Sequence, residues 1–230
     1  MTQDRRNGIL IGICYIAAAV TSVIAVLCYD PVLSEKWYLS VIEGRRMQVL
    51  VGVLNDLVLV LTAMGTAVML FPYLRRWNER LALGYLLFRC MEAVFIAIGI
   101  VSILGLLQLS LHYEANRSLN QDNLVELGYL LQGVHRWTSM LGPNFMLGVN
   151  TALYSYLLFR TRLVPRPLAS FGMATAALVF AAGLLEMFGV IEPLSAVKGM
   201  LALPVGVYEM SLAVRLIAKG PGEPRQLRAS

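Results

Sequence analysis

The chain has 230 residues, 58% of them hydrophobic and only 14% charged, with 19 Lys and Arg against 14 Asp and Glu for a net charge of +5. A soluble domain is about a quarter charged, so a single water-facing globule is excluded and the expected solvent is lipid. The positive balance does not point to nucleic acid either, because the basic residues gather at the ends of apolar runs and not on a soluble face.

A membrane-crossing helix needs about 20 apolar residues. Six segments qualify: residues 8–29, 48–71, 81–109, a long one over 125–159, 168–188 and 197–218. Short connections join them. The reading is an all-α integral membrane bundle, a single transmembrane domain over residues 1–230. It has six spans, or seven helices if the fourth segment breaks, and residues 219–230 form a flexible cytoplasmic tail.

The first segment follows Arg5 and Arg6. Its apolar run is longer than that of a secretory signal, and Cys28-Tyr29-Asp30 is not a small-residue cleavage site, so a retained helix is expected. On the second, Gly52, Asn55, Thr62 and Thr66 share a face, a pattern of close helix packing, and Asp56 stands beside Asn55. The third contains YLLFRCME, in which Tyr85, Arg89 and Glu92 fall on one face at helical spacing. YLLFR recurs at Tyr156–Arg160, but there the arginine closes a span and can snorkel to the interface.

The fourth segment would make about 50 Å of helix at about 1.5 Å per residue, more than the hydrocarbon is thick. Gly142-Pro143 predicts a kink inside it, with Asn144 placed to help the freed backbone groups. Residues 124–141, carrying His135, Arg136 and Trp137, would then sit at or above the outer interface. They form either a tilted extension of the helix or a partly re-entrant cap over a cavity. Asn144, Gly148, Thr151 and Ser155 make a small, polar stripe below the kink. The fifth segment ends near Glu186. The sixth carries Glu209 a few residues after the bend expected at Pro204.

Charge asymmetry orients the bundle. About 11 basic residues (Arg5, Arg6, Arg75, Arg76, Arg80, Arg160, Arg162, Arg166, Lys219, Arg225, Arg228) fall on one side, against about five on the other (Lys36, Arg45, Arg46, Arg117, Lys198). The positive-inside rule places both termini in the cytoplasm of a multi-pass plasma-membrane protein. Trp37, Tyr38, Tyr73, Trp77 and Tyr113 fall near the interfaces.

Counting from the cytoplasmic end of each span at about 1.5 Å per residue puts Arg89, Glu92, Glu209 and Asn150 in one layer about 12–16 Å deep. A second layer, about 23–27 Å up, holds Asp56, Asn144 and Glu186, with His135 and Lys198 at or beyond it. Four ionisable groups facing lipid would cost on the order of 10 kcal/mol together, so they are expected to turn inward. Arg89 is expected to be shared between Glu92 and Glu209, tying the third span to the sixth. This intramembrane charge cluster (Arg89, Glu92, Glu209, Asn150, Tyr85) reads as a helix staple or as a proton or ion relay. Asp56, Asn55, His135, Asn144 and Glu186 are the ligand-binding or relay candidates.

No HExxH, paired CxxC, Walker loop, GxGxxG or GxSxG occurs in a usable context. Cys14, Cys28 and Cys90 make no metal motif, and His112 and His135 are the chain's two histidines. No metal and no cofactor are expected, and no catalytic residue is assigned.

The runs LFPYLRRWNERLALGYLLFRCMEAVF (70–95), HRWTSMLGPNFMLGVNTALYSYLLFRTRLVPRPLASFG (135–172) and GVIEPLSAVKGMLALPVGVYEMSLAVRLI (189–217) resemble an uncharacterised bacterial integral-membrane family, domain of unknown function 4386. The resemblance includes Arg89, Glu92, His135, Trp137, Gly142, Pro143, Asn150 and Glu209. It implies a small multi-span membrane protein and no activity.

Three functions follow as expectations. The first is binding or transport of a small or lipid-like molecule through a polar cavity near the outer side, contacted by Asp56, His135 and Glu186 and floored by Arg89, Glu92 and Glu209. The second is an intramembrane enzyme using Asp56 or Glu186 with His135 as acid and base. The third is a structural or assembly subunit. The bilayer is the expected partner, a small or lipid-like ligand a further one, nucleic acid is not, and the oligomeric state is left open.

Overall fold

The computed structural model describes residues 3–34, 38–115, 122–192 and 195–222. Trp37, Lys36, Arg117, Arg225, Arg228 and the tail beyond residue 222 lie outside the described residues. The helices are α1 (Gln3–Leu33), α2 (Tyr38–Gly44), α3 (Arg46–Leu74), α4 (Glu79–Ala115), α5 (Asp122–Met140), α6 (Leu147–Thr161), α7 (Arg166–Met187) and α8 (Ala196–Lys219). The fold is all-α among the described residues, with long apolar helices consistent with a multi-span membrane bundle.

Among the described residues five helices, not six, are long and apolar enough to cross a membrane: α1, α3, α4, α7 and α8. The expected fourth span does not qualify as a unit. Its N-terminal part, α5, is polar, carrying Asp122, Glu126, His135 and Arg136, and its C-terminal part, α6, has only 15 residues. Between them residues Leu141–Met146 form a single π-helical turn. Pro143 has no N–H to give, and the wider turn accommodates it: the Leu147 N–H donates to the carbonyls of Gly142 and Asn144. Met140 and Leu147 keep right-handed helical angles (φ −74°, ψ −47° and φ −59°, ψ −45°), so the chain passes through the turn without folding back. Of the two readings of residues 124–141, the continuous helix is the one seen. It packs against the outer half of α4, where Ser102 donates to the Leu131 carbonyl.

Neighbour follows neighbour around a closed ring: α1 packs on α3, α3 on α4, α4 on α6, α6 on α7, α7 on α8, and α8 on α1. The outside of the ring is apolar, and the charged side chains of the spans turn inward into an otherwise largely apolar core. Val23, Val26 and Leu27 of α1, Leu54, Leu57 and Leu61 of α3, Val94 and Val101 of α4, and Leu203, Val207 and Val214 of α8 are exposed, whereas Arg89, Glu92, Asn150, Ser155 and Glu209 are buried. A soluble protein has the opposite arrangement. The apolar belt is the surface a bilayer covers.

Short helix α2 has no apolar run and eluded the hydropathy reading. It closes the end of the ring toward α5, where the Tyr38 hydroxyl donates to the Val125 carbonyl at 3.0 Å. Burial pushes that hydroxyl up to about 12, so it remains a protonated donor at neutral pH.

Closure of the ring between α1 and α8 depends on Gly8. A Cβ there would stand 2.8 Å from the Leu216 carbonyl oxygen and 2.8 Å from the Gly220 Cα. These are backbone atoms and cannot step aside. Gly12 follows at i+4 on the same face, a small-residue seam that lets two membrane helices approach closely. Gly8→Ala is therefore expected to destabilise the protein by about 1–3 kcal/mol, seen as a lower thermal midpoint in detergent.

Candidate functional site

The face of α4 that bears Tyr85, Arg89 and Glu92 points into the ring. Arg89 is 3% exposed and Glu92 4%, which rules out snorkelling for either. One Arg89 guanidinium nitrogen donates to both Glu92 oxygens, at 3.0 and 3.3 Å, and the Nε donates to the Ala63 carbonyl of α3 at 3.4 Å. Asn150 of α6 donates its amide to Glu92 Oε2. This group is well satisfied and ties α3, α4 and α6 together.

The expected sharing of Arg89 between Glu92 and Glu209 takes a different form. The guanidinium closes on its own helix neighbour and on Ala63, because three residues along a helix already bring the pair together. Glu209 of α8 lies within electrostatic reach of Arg89, but its Oε1 is buried without a hydrogen-bond partner.

Around Glu209 stand four fully buried tyrosines, one from each of four helices: Tyr15 (α1), Tyr85 (α4), Tyr154 (α6) and Tyr208 (α8). Tyr154 touches the other three, with ring centroids 6.3 Å from Tyr15, 5.4 Å from Tyr85 and 5.9 Å from Tyr208, the last nearly parallel at 12°. The Tyr208 hydroxyl is 2.8 Å from Ser155 Oγ. The hydroxyls of Tyr15, Tyr85 and Tyr154 are buried without a hydrogen bond of ordinary geometry, Tyr85 lying beside Tyr15 and Thr66 and Tyr154 beside Tyr208. Only Tyr85 was singled out from sequence. The others were legible in principle: Tyr154 is one turn from Asn150, and Tyr208 adjoins Glu209. Counting depth for hydroxyls as well as charges would have found them.

The outer candidates divide into two groups. Asp56 of α3 and His135 of α5 lie on either side of Tyr29 of α1. The Tyr29 ring meets His135 edge-on at 5.5 Å, and its buried hydroxyl neighbours the Asp56 carboxyl. Tyr29 fits there because it lies over Gly52, where a Cβ would come within 2.5 Å of the ring. His135 Nδ1 is 3.4 Å from the Gly99 carbonyl. No hydrogen bond joins Asp56 to His135 among the described residues. Across the ring, Glu186 of α7 pairs with Lys198 of α8 at 2.7 Å. Asn144, in the π-turn, packs its Cβ against Gly183, one turn from Glu186. Because α3 and α7 are not ring neighbours, Asp56 and Glu186 share a level without sharing a site. Asn55 belongs to neither group: its amide donates to the Val51 carbonyl of its own helix at 2.8 Å, on the outer surface of α3.

Two hollows lie outside the centre. One of about 10 Å³, lined by Tyr29, Ile42, Ile103, Leu106 and neighbouring apolar side chains, has room for about one water. A shallow one of about 360 Å³ lies between the α6–α7 turn and α8, lined by Arg162, Val164, Pro165, Arg166 and Arg215.

At this end of the bundle arginines lie over aromatic rings: Arg160 is 4.9 Å from the Trp77 centroid and Arg166 5.2 Å from Phe159. Such pairs anchor helix ends at a membrane interface.

A family model described as "Domain of unknown function (DUF4386)" matches residues 10–220. No curated protein and no solved structure matches the chain.

Proposed function

The chain belongs to the DUF4386 family, a family of multi-span membrane proteins without an assigned activity, and from that premise we propose that it binds or moves a small polar solute at the mid-bundle centre around Glu209. The protein is an integral, multi-pass membrane protein, consistent with the plasma membrane. In the proposed topology α5 and α6 together make a sixth crossing and both termini are cytoplasmic, as the basic residues at the α3–α4 and α6–α7 turns favour.

One observation carries the proposal. Three phenol hydroxyls and one carboxylate oxygen are buried within the ring without a hydrogen bond of ordinary geometry. Each such group costs about 1–3 kcal/mol when left unsatisfied. Native structures retain few of them, and each calls for an explanation such as water or an ion. A centre serving only as a staple would satisfy its members, as Arg89, Glu92 and Asn150 do. The centre therefore has two parts: a satisfied part that holds helices and an unsatisfied part where the proposed guest would bind.

The outer-cavity version has less support, because the hollow beside Tyr29 is apolar and far below the roughly 300 Å³ of a small-ligand pocket. The enzyme version has less support as well: Tyr29 stands between Asp56 and His135, and Lys198 engages Glu186.

Ser155→Cys tests the proposal in a background with Cys14, Cys28 and Cys90 changed to Ala. Ser155 is fully buried in the ring, and the change nearly conserves volume. A small water-soluble thiol reagent is expected to modify this cysteine in nanodiscs, more slowly than a control at exposed Met47→Cys. A folded Ser155→Cys protein that never reacts, while the control does, rules the proposal out.

A further inference from the structure

We propose that the guest of this centre is a monovalent metal cation held against the Glu209 carboxylate by tyrosine hydroxyls, an inference that rests on the reading above.

The argument begins with a charge inventory. The titratable groups facing the centre are Tyr15 from α1, Tyr85, Arg89 and Glu92 from α4, Tyr154 from α6, and Tyr208 and Glu209 from α8. α3 contributes Ala63 and Thr66, and α7 Gly172 and Thr175, none of which titrates. Arg89 and Glu92 cancel as an ion pair. Glu209 remains, more than nine-tenths buried, with Oε1 unpartnered. A lone carboxylate at this depth must be neutralised, by a proton or by a cation.

The donor set favours the cation. All four tyrosine side chains lie within electrostatic reach of the Glu209 carboxyl, and three of their hydroxyls lack a hydrogen bond of ordinary geometry. A proton on Glu209 would settle its charge but engages a single oxygen. A cation takes up several oxygen lone pairs at once. The donors are hard oxygens, carboxylate and phenol, with neither thiolate nor imidazole among them, which is chemistry for an alkali metal and not for zinc, copper or iron. A divalent ion would reverse the local charge from −1 to +1, whereas a monovalent ion brings it to zero. The aromatic faces around the site tolerate a cation further.

The experiment is thermal unfolding of the whole protein in nanodiscs in sodium, potassium or choline chloride at equal ionic strength. Sodium or potassium is expected to raise the midpoint above choline in a saturable way, by mass action on the folded state. The effect should weaken as pH falls and protons compete for Glu209. Glu209→Gln should abolish the difference between salts, Glu209→Asp should keep part of it, and Tyr154→Phe should weaken it. If Glu209→Gln does not fold, the Ser155→Cys protein serves: sodium, but not choline, is expected to slow its thiol modification.

Equal midpoints in all three salts would overturn the cation. So would a sodium effect that survives Glu209→Gln, or stabilisation by acid with no discrimination between salts, which would identify a proton alone. A thiol at position 155 that reacts without any cation effect removes this inference and leaves the proposed function standing. A thiol that never reacts removes both.

Discussion

Arg89→Met is expected to destabilise the protein more than any other single side-chain truncation in the bundle, by about 3–5 kcal/mol. The change leaves Glu92 buried with a full charge and only the Asn150 amide to meet it. It also releases the Ala63 carbonyl from the guanidinium, although Thr66 Oγ still donates to that oxygen at 2.7 Å. The same pair removed together should behave differently. Arg89→Met with Glu92→Leu takes away both charges, and a well-packed apolar pair in place of a buried salt bridge is often neutral or stabilising. Asn150→Leu then belongs in the set, since its amide would have lost its acceptor. Thermal unfolding of the single, double and triple variants completes the cycle. Recovery in the double or triple variant marks Arg89–Glu92–Asn150 as the structural half of the centre. If the double variant were as unstable as Arg89→Met, that division between structural and guest-binding halves would be wrong. The division matters because Glu209 is the group it leaves for function.

Gly172→Ala is expected to have an effect of comparable kind through packing alone. A Cβ on Gly172 would lie 2.2 Å from Tyr208 Cζ and 2.4 Å from Ser155 Oγ. The serine can rotate, but the ring cannot retreat. Tyr208 is fully buried, lies nearly parallel to Tyr154 at 5.9 Å, and has the edge of Phe171 at 6.2 Å. The methyl must therefore push α7 off α6 and α8 or expel Tyr208 from its bond to Ser155. The cost is about 1–3 kcal/mol or more. Gly206→Ala supplies the contrast: nothing lies within 4 Å of its Cβ, so the substitution should be neutral or slightly stabilising through helix propensity. Thermal midpoints for the two variants decide the point. If they shifted alike, steric closure at Gly172 would not be the cause.

The legible and illegible parts of the centre separate along one coordinate. Depth can be counted from sequence, since a helix rises by a constant amount per residue. That count put Arg89, Glu92, Asn150 and Glu209 on one level, and all four side chains are buried in the ring. Azimuth cannot be counted in the same way. By the depth count Asp56 and Glu186 fall at nearly the same height, yet α3 and α7 are not neighbours around the ring. Asn55, next to Asp56, turns out to its own backbone instead. The tyrosines escape a depth count made over charges and amides, and only helix packing shows that Tyr15, Tyr29, Tyr154 and Tyr208 look inward.

The helix ends tell the same story. The apolar runs 48–71 and 168–188 became Arg46–Leu74 and Arg166–Met187, because backbone hydrogen bonding continues into the interface where hydropathy has already fallen. The fourth segment shows the opposite limit. Gly142-Pro143 announced a distortion, but whether the chain folded back or ran on depended on the wider turn that Pro143 accepts and on the surface of α4 that receives α5.

From its sequence alone this protein is committed to lipid, to long helices, and to a level within the membrane where charges must find one another, since composition and rise per residue are local quantities. Which charges meet was settled only when six helical segments closed into a ring. Pairing depends on the angular position of each side chain about its own helix and on the order of the helices around the ring. Both are set by contacts such as Gly8 on α8, Gly52 under Tyr29 and Gly172 under Tyr208, which join residues far apart in the chain.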